Sequence, residues 1–243
     1  MLALQEVRDV GAIAALLGPD FEVVASQHGG PRGQHLVLAW RTSRIRPTGP
    51  PTEHDAIAMG GRLRPALSAP FVLQPDGRPF TVMTVHLKAR PQGAPIRASQ
   101  WDHLTSAVDQ LRETVADLVL VGDFNVTGGT SLGTATDERQ ALETKLTASN
   151  LTPIEVGACT SYWHGVRHDR WVEPARLDLA FAAGFANARP VASAGTHCRR
   201  NGCEPFADAD LDPSFTGLSD HCPVVVDMIQ NAGPADPAGP SRD

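Results

Sequence analysis

The reading of this chain turns on Leu118-Val119-Leu120-Val121-Gly122-Asp123-Phe124-Asn125-Val126. Four apolar residues in a row, Leu118 to Val121, suit a short strand buried on both faces. Valine is stiff at χ1 in a way that favours a pleat. Gly122 ends the run and permits a close backbone approach. Asp123 and Asn125 follow, and in extended chain residues two apart point to the same face. Asp and Asn also form turns, so this pair alone fits a plain strand-to-loop junction as well as a site. Other strand ends decide between the two.

Outward from that stretch, 243 residues at 42% hydrophobic content are enough for one large domain. A domain over residues 1–229 is expected, followed by a disordered Gly/Pro/Ala/Asp tail at 230–243. A single Tyr beside eight Phe points to a core of Val, Leu, Ala and Ile, and 22 Gly with 20 Pro point to many loops. The net charge of −6 argues against a general nucleic-acid coat, which needs clustered Lys and Arg. It leaves room for a nuclease, because carboxylates around a metal add negative charge locally. No apolar run approaches the roughly 20 residues of a membrane span, so stable membrane insertion is not expected. No basic segment followed by an apolar one marks a signal peptide. Leu2 to Val7 reads as a strand already under way, so the expectation is that the chain starts inside a domain, without a leader or a first strand.

The four cysteines, Cys159, Cys198, Cys203 and Cys222, lack zinc-type spacing. Cys198 and Cys203 flank Arg-Arg-Asn-Gly and are close enough in sequence to close a small disulfide. Four reduced thiols in a cytosolic protein is the alternative, and the balance leans to an exported protein.

Helices are expected at Asp9 to Leu17, Ile96 to about Val115 and Asp137 to Ser149. In the second, Trp101, Leu104, Val108 and Leu111 recur in steps of three and four. Strands are expected at Phe21–Ala25, His35–Trp40, Arg62–Val72, Pro79–His86, Leu177–Ala182 and Cys222–Met228, with a loop over Thr42 to Pro51. Asp76-Gly77 signals a hairpin. Strands outnumber helices, and hairpins mix with crossovers, which points to α+β layers.

Several of these strands end in polar groups. Glu6 closes the first, where a solvated Glu is the plainer reading. His86 closes Thr81 to Val85, with Lys88 on the same face. Asp178 interrupts an apolar strand and needs a partner there, either Arg176 or a site, because burying an unpaired carboxylate costs several kcal/mol. Ser219-Asp220-His221 precedes the last strand, where a carboxylate can orient an imidazole. Oxygen-rich donors of this kind suit Mg²⁺ or Mn²⁺ better than zinc. A phosphoryl hydrolase needs such groups: a divalent ion against phosphate charge, a base for water, and an acid or cation for the leaving oxygen.

Gln5-Glu6, Val85-His86-Leu87-Lys88, Gly122-Asp123-Phe124-Asn125, Leu177-Asp178 and Ser219-Asp220-His221-Cys222-Pro223, in this order, resemble the endonuclease/exonuclease/phosphatase superfamily. That family includes deoxyribonuclease I, AP endonucleases, neutral sphingomyelinases and inositol-polyphosphate 5-phosphatases. The resemblance covers about residues 1 to 229 and implies a four-layer α/β/β/α sandwich of two mixed β-sheets. It implies that Glu6 binds metal and that Asp220 binds or orients around the same site. His221 would activate water, and Asp123 and Asn125 would orient the nucleophile and hold the phosphate. His86 would serve the leaving group, and its place there, where AP endonucleases have Tyr, separates this chain from that branch. Asp178 would pair with a catalytic His or support Asn125. Arg32 and Arg62 are further candidates for phosphate contacts, with solvated surface arginines as the plainer reading.

One departure stands out. Family members carry an Asn upstream of the Gln-Glu pair, and none of the four residues before Gln5 is Asn. The expected function is a Mg²⁺- or Mn²⁺-dependent phosphodiesterase or nuclease, acting as a monomer on nucleic acid or a small phosphoester. The alternative is a non-catalytic binding module on the same fold, or an inactive fragment without the first-strand Asn.

Overall fold

Alternating apolar residues near the start form three antiparallel strands, β1 (Leu2–Val7), β2 (Phe21–Ala25) and β3 (His35–Arg41), in the order β1-β3-β2. Helix α1 (Val10–Leu17) joins the first two, and the Asp9 carboxylate accepts from Ala12 N at 2.9 Å to cap it. The next strands are β4 (Ile45–Pro47), β5 (Thr52–His54), β6 (Ala66–Leu73), β7 (Arg78–His86), β8 (Leu118–Asp123) and β9 (Thr152–Ile154). Beyond them come β10 (Ser161–Trp163), β11 (Trp171–Ala175), β12 (Asp178–Ala183), β13 (Ala188–Ala194), β14 (Phe206–Ala207) and β15 (Val224–Gln230). The remaining α-helices are α2 (Ala94–Arg112), α3 (Ala135–Ala148), α4 (Thr196–Arg200) and α5 (Pro213–Gly217). This computed structural model describes residues 1–129, 131–164, 170–185, 188–207, 210 and 213–230. The expected disordered tail at 230–243 lies outside the described residues from 231 onward.

The central sheet runs β4-β6-β7-β8-β12-β9, with β5 also pairing β6. It is mixed, because β7 and β8 are parallel while β12 runs antiparallel to β8. The parallel crossover is α2. Its Trp101, Leu104 and Val108 bury against Leu118 and Leu120 of β8 and Phe181 of β12, as the three- and four-residue steps predict. The opposite face of the sheet packs Phe71 and Val82 against Leu36, Leu38 and Trp40 of β3. With α1 outside β2, the layers are α/β/β/α.

The second layer differs from the expected mixed sheet. Its pairings are antiparallel, and it comes in two pieces, β1-β3-β2 and β13-β15. β1 and β15 border one groove of about 740 Å³ and do not pair across it. Val119 and Val121 of the central strand are therefore only half-buried on its floor. Shorter deviations have local causes. Ile45–Pro47 forms a short strand inside the expected loop because it pairs with Phe71–Leu73. Helix α3 starts two residues early, at Ala135, because Thr134 and Asp137 form a capping box. Among the described residues no helix is long and apolar enough to cross a membrane.

Two devices lock the loops. Arg97 on α2 is fully buried and pairs with buried Glu138 on α3 at 2.5 Å, while also donating to Lys88 O, Arg90 O and Gly128 O. A buried pair is tolerable only when its remaining donors are satisfied, and here the carbonyls come from the loops after β7 and β8. Disulfides Cys159–Cys203 and Cys198–Cys222 staple a small layer in which Tyr162, Val172 and Phe206 cluster. Cys203 thus bonds to Cys159, and the short Cys198–Cys203 loop suggested by sequence proximity does not form.

Candidate active site

Strand register builds the centre of the site. β8 pairs His86 of β7 with Asp123 on one side, and Asp178 of β12 with Asp123 on the other. Three polar residues from three neighbouring strands therefore stand in one row at one end of the sheet. Gly122 makes the row possible. A Cβ there would sit 2.2 Å from Val85 O, so only glycine lets β7 and β8 approach.

Asn125 joins the row by a different route from simple alternation. The strand ends at Asp123, and Asn125 turns into the left-handed region at φ 52. Its backbone N–H donates to Asp123 Oδ1 at 2.9 Å, and its Nδ2 donates to Asp123 Oδ2 at 2.6 Å. Glu6 arrives by a bulge. The β1–β3 register shifts between Leu4 and Val7, and Glu6 takes φ 59, bringing its carboxylate 3.7 Å from His86 Nε2. Its neighbour Gln5 donates to Thr84 on the central sheet at 3.0 Å.

His221 closes the site from the last segment. Its Nδ1 lies 2.8 Å from Asp178 Oδ2, so the half-buried strand Asp finds its partner in a histidine, while Arg176 pairs with Glu155 at 2.7 Å. Thr160 holds Asp178 in place, its hydroxyl accepting from Asp178 N at 2.9 Å and Leu177 N at 3.1 Å. Cys222 N in turn donates to Thr160 O at 2.7 Å. Glu6, His86, Asp123, Asn125, Asp178, Asp220 and His221 all line the one groove. Asp220 is exposed there beside His221.

The electrostatics follow from burial and crowding. Burial pushes the Asp123 carboxyl up to about 7, with the charge of Asp178 adding to it and His221, Asn125 and Arg64 opposing. Burial would lower His221, but the hydrogen bond and charge of Asp178, with Asp123 and Asp220, outweigh it and raise the imidazole to about 10. Burial, then Arg64 and His221, hold His86 well below the ordinary histidine value. His86 Nε2 sits 3.3 Å from Asp123 Oδ2, and its buried Nδ1 has no hydrogen-bond partner.

Of the two arginines picked from sequence, Arg62 is exposed and donates to Met59 O, away from the site residues. Arg32 is exposed in the glycine-rich turn and lies close enough to Arg64 to repel it. Arg64 itself, two residues beyond Arg62, is the arginine whose charge reaches Glu6 and Asp123. Sequence reasoning passed over both Arg64 and Thr160. Arg64 lies in the loop before β6 and Thr160 immediately before the short β10, and only the fold brings them in.

A divalent ion suits the donors present. Glu6, Asp123, Asn125 and Asp220 offer oxygen donors along the same groove, the three carboxylates not all lying within 4.8 Å of one another, and Glu6 has no Lys or Arg salt bridge among the described residues. Such hard donors suit Mg²⁺ or Mn²⁺.

No family model matches the sequence, and no curated protein matches it. Solved structures do. The catalytic domain of human Nocturnin with a bound sulfate anion aligns over 93% of this chain and 80% of its own, at 18% identity and TM-score 0.60. A mannosyl-6-phosphatase of Bacteroides thetaiotaomicron aligns over 93% and 84%, at 14% identity and TM-score 0.61. An endonuclease/exonuclease/phosphatase family protein of the same bacterium aligns over 89% and 78%, at 14% identity and TM-score 0.57. The layered sandwich is thus the fold these proteins share. This chain has the endonuclease/exonuclease/phosphatase fold, in agreement with the resemblance read from its motif order.

Proposed function

We propose that the protein is a divalent-metal-dependent phosphoester hydrolase, acting on phosphodiesters, with His221 as the base that activates water. The observation that carries this reading is the 2.8 Å bond from His221 Nδ1 to Asp178, set in the same groove as Glu6, His86, Asp123 and Asn125. Asp178 accepts from Nδ1 and turns Nε2 to the groove. The neighbouring carboxylates that raise the ring to about 10 keep it charged, and positive charge bound beside Asp123 and Asp220 would offset them and leave the neutral imidazole that takes the proton from water. Asn125 Nδ2 donates to Asp123 Oδ2 at 2.6 Å and to Leu87 O at 3.3 Å, so it reaches an incoming phosphate oxygen by exchanging the longer of these two bonds. His86 stands opposite Glu6, buried and neutral, as the group that steadies the departing oxygen. Glu6 and Asp220 would hold the ion, which supplies positive charge against the phosphate when bound.

The folded neighbours support phosphoester chemistry, one being a mannosyl-6-phosphatase. The net charge of −6 favours a small or weakly held phosphodiester over tight duplex binding. Two disulfides among the described residues favour an exported protein, and we read it as a monomer. Hydrolysis of bis-p-nitrophenyl phosphate with Mg²⁺, Mn²⁺ or EDTA tests the proposal. Turnover that needs the metal is expected. Its absence would leave the fold as a binding module.

A further inference from the structure

Asp178 and His221 belong to two segments that no strand ladder joins. Asp178 opens β12, and His221 lies just before β15, which pairs only with β13. On its inner side Asp178 pairs with Asp123 of β8. On its outer side β9 covers only Ala180 to Ala182, so at Asp178 the strand edge has no neighbouring strand. The N–H groups of such an edge need other acceptors. Here they share one atom. Thr160 Oγ1 accepts from Leu177 N at 3.1 Å and from Asp178 N at 2.9 Å. A hydroxyl oxygen has two lone pairs, which is what two adjacent donors require.

The same residue holds the other partner through its backbone. Thr160 O accepts from Cys222 N at 2.7 Å, and Thr160 N donates to Ala175 O at 2.8 Å. Two residues on, Tyr162 N donates to Asp220 O at 2.9 Å, so this stretch ties the chain on both sides of His221. Ser161 pairs with His221 in the bridge between those two bonds. Thr160 is fully buried, and a β-branched side chain is stiff at χ1. Its hydroxyl therefore stands at a fixed offset from the backbone that ties down His221. One residue thus sets the separation across which the Asp178 and His221 side chains meet at 2.8 Å.

We propose that Thr160 is a positioning residue for water activation: its hydroxyl anchors the Asp178 backbone while its carbonyl anchors the segment of His221, and so aligns the bond between them. The proposal rests on the hydrolase reading for the reaction, though not for the bond itself. Thr160→Val keeps the shape and removes the acceptor, while Thr160→Ser keeps the acceptor. Val108→Ala, in the α2 core away from the groove, controls for lost stability. With bis-p-nitrophenyl phosphate and Mg²⁺, kcat in Thr160→Val should fall about 100-fold, as a misplacement on the order of 1 Å costs, with KM little changed. Thr160→Ser should recover most of that loss, and Val108→Ala should keep kcat at a temperature where every variant is folded. The readout without turnover is the downfield proton resonance of His221 Nδ1–H in EDTA, assigned by its loss in His221→Gln. It should be present in wild type, Thr160→Ser and Val108→Ala, and shifted or broadened away in Thr160→Val. Where Thr160→Val does not fold, Thr160→Ala, which leaves room for water to meet the two amides, takes its place. A resonance or a kcat that is unchanged without the hydroxyl overturns the proposal. So does absence of the resonance in wild type, or its equal loss in Val108→Ala. If the resonance responds as expected and wild type turns nothing over, the hydrolase reading fails and the alignment of Asp178 and His221 by Thr160 stands.

Discussion

His221 Nδ1 and Asp178 Oδ2 meet at 2.8 Å although 43 residues separate them in sequence. The bond joins the last segment of the chain to β12 of the central sheet. It also fixes which ring nitrogen faces the groove. Asp178→Asn keeps the shape but can no longer stabilise a charged imidazole. Turnover should fall about 100-fold or more, as expected for a disabled general base, with the melting temperature nearly kept. His221→Ala should abolish turnover with as little effect on stability. A large fall in melting temperature in either variant would instead mark the pair as structural.

Glu6 reaches the groove only because β1 bulges and its backbone turns to φ 59. Glu6→Gln keeps the size and removes the charge. The Mg²⁺ concentration for half-maximal activity should rise severalfold, about what one lost charged ligand costs. An unchanged metal requirement would reject the ligand role. The mostly exposed side chain leaves the fold unaffected by this change, which a circular dichroism melt checks.

Much of this was legible in the sequence, for reasons that are local. The Leu118–Val121 run became the central strand because its neighbours on both sides are strands, and the spacing of Trp101, Leu104 and Val108 placed one helix face on it. The order of polar strand ends was legible too. What was not legible depends on contacts between distant segments. Asp178 had two possible partners on paper, and only the fold shows that Arg176 goes to Glu155. Asn125 meets Asp123 by a left-handed turn that alternation does not foresee. Buried Arg97 reads as a solvated helix residue until Glu138 and three carbonyls surround it. The disulfide partners, 44 and 24 residues apart, gave no sign in their spacing.

Gly122 is the tightest point of the central sheet. With Val85 O only 2.2 Å from the site of a Cβ and φ at 141, Gly122→Ala must push β7 away from β8. That separates the strands carrying His86 and Asp123. A loss of about 2–5 kcal/mol is expected from forced overpacking, measured by urea unfolding. A stability within a few tenths of a kcal/mol of wild type would mean the strand pairing is looser than described.

Stability should fall on the acid side through histidines held neutral. Burial lowers the pKa of His54, His86 and His197 in the fold, most of all for His86. Their unfolded value is about 6.5. The sign is that of a depressed base: the contribution is present above about pH 6.5 and is lost as pH falls towards the folded values, because the unfolded chain binds protons first. Melting temperature should therefore drop between pH 7 and 5. Asp123, raised to about 7, has the opposite sign and gains stability as pH falls through this range, so the drop is read in EDTA in an Asp123→Asn background, where that opposing carboxyl is removed. His54→Gln, which keeps a polar group opposite Ser68 at the site of the present 2.9 Å bond, should flatten part of that drop. A pH-independent melt would contradict the burial of these rings.

The Cys198–Cys222 disulfide links α4 to the residue next to His221, so reduction should reach the site as well as the fold. Cys222 is nearly fully buried, and its backbone N–H is held by Thr160, the residue that also holds Asp178. Losing the crosslink frees the segment that carries Asp220 and His221, and closing a loop of 24 residues is worth about 3 kcal/mol on the chain-entropy account. Cys198→Ser with Cys222→Ser should lower both melting temperature and turnover. Cys159→Ser with Cys203→Ser, whose crosslink adjoins Thr160 and reaches His221 only through Asp178, should lower stability by a similar amount but turnover less. Comparing the two double variants at a temperature where both stay folded separates a general loss of stability from a loss of His221 placement. Equal turnover in the two would mean that the strand after His221 is held by its hydrogen bonds alone.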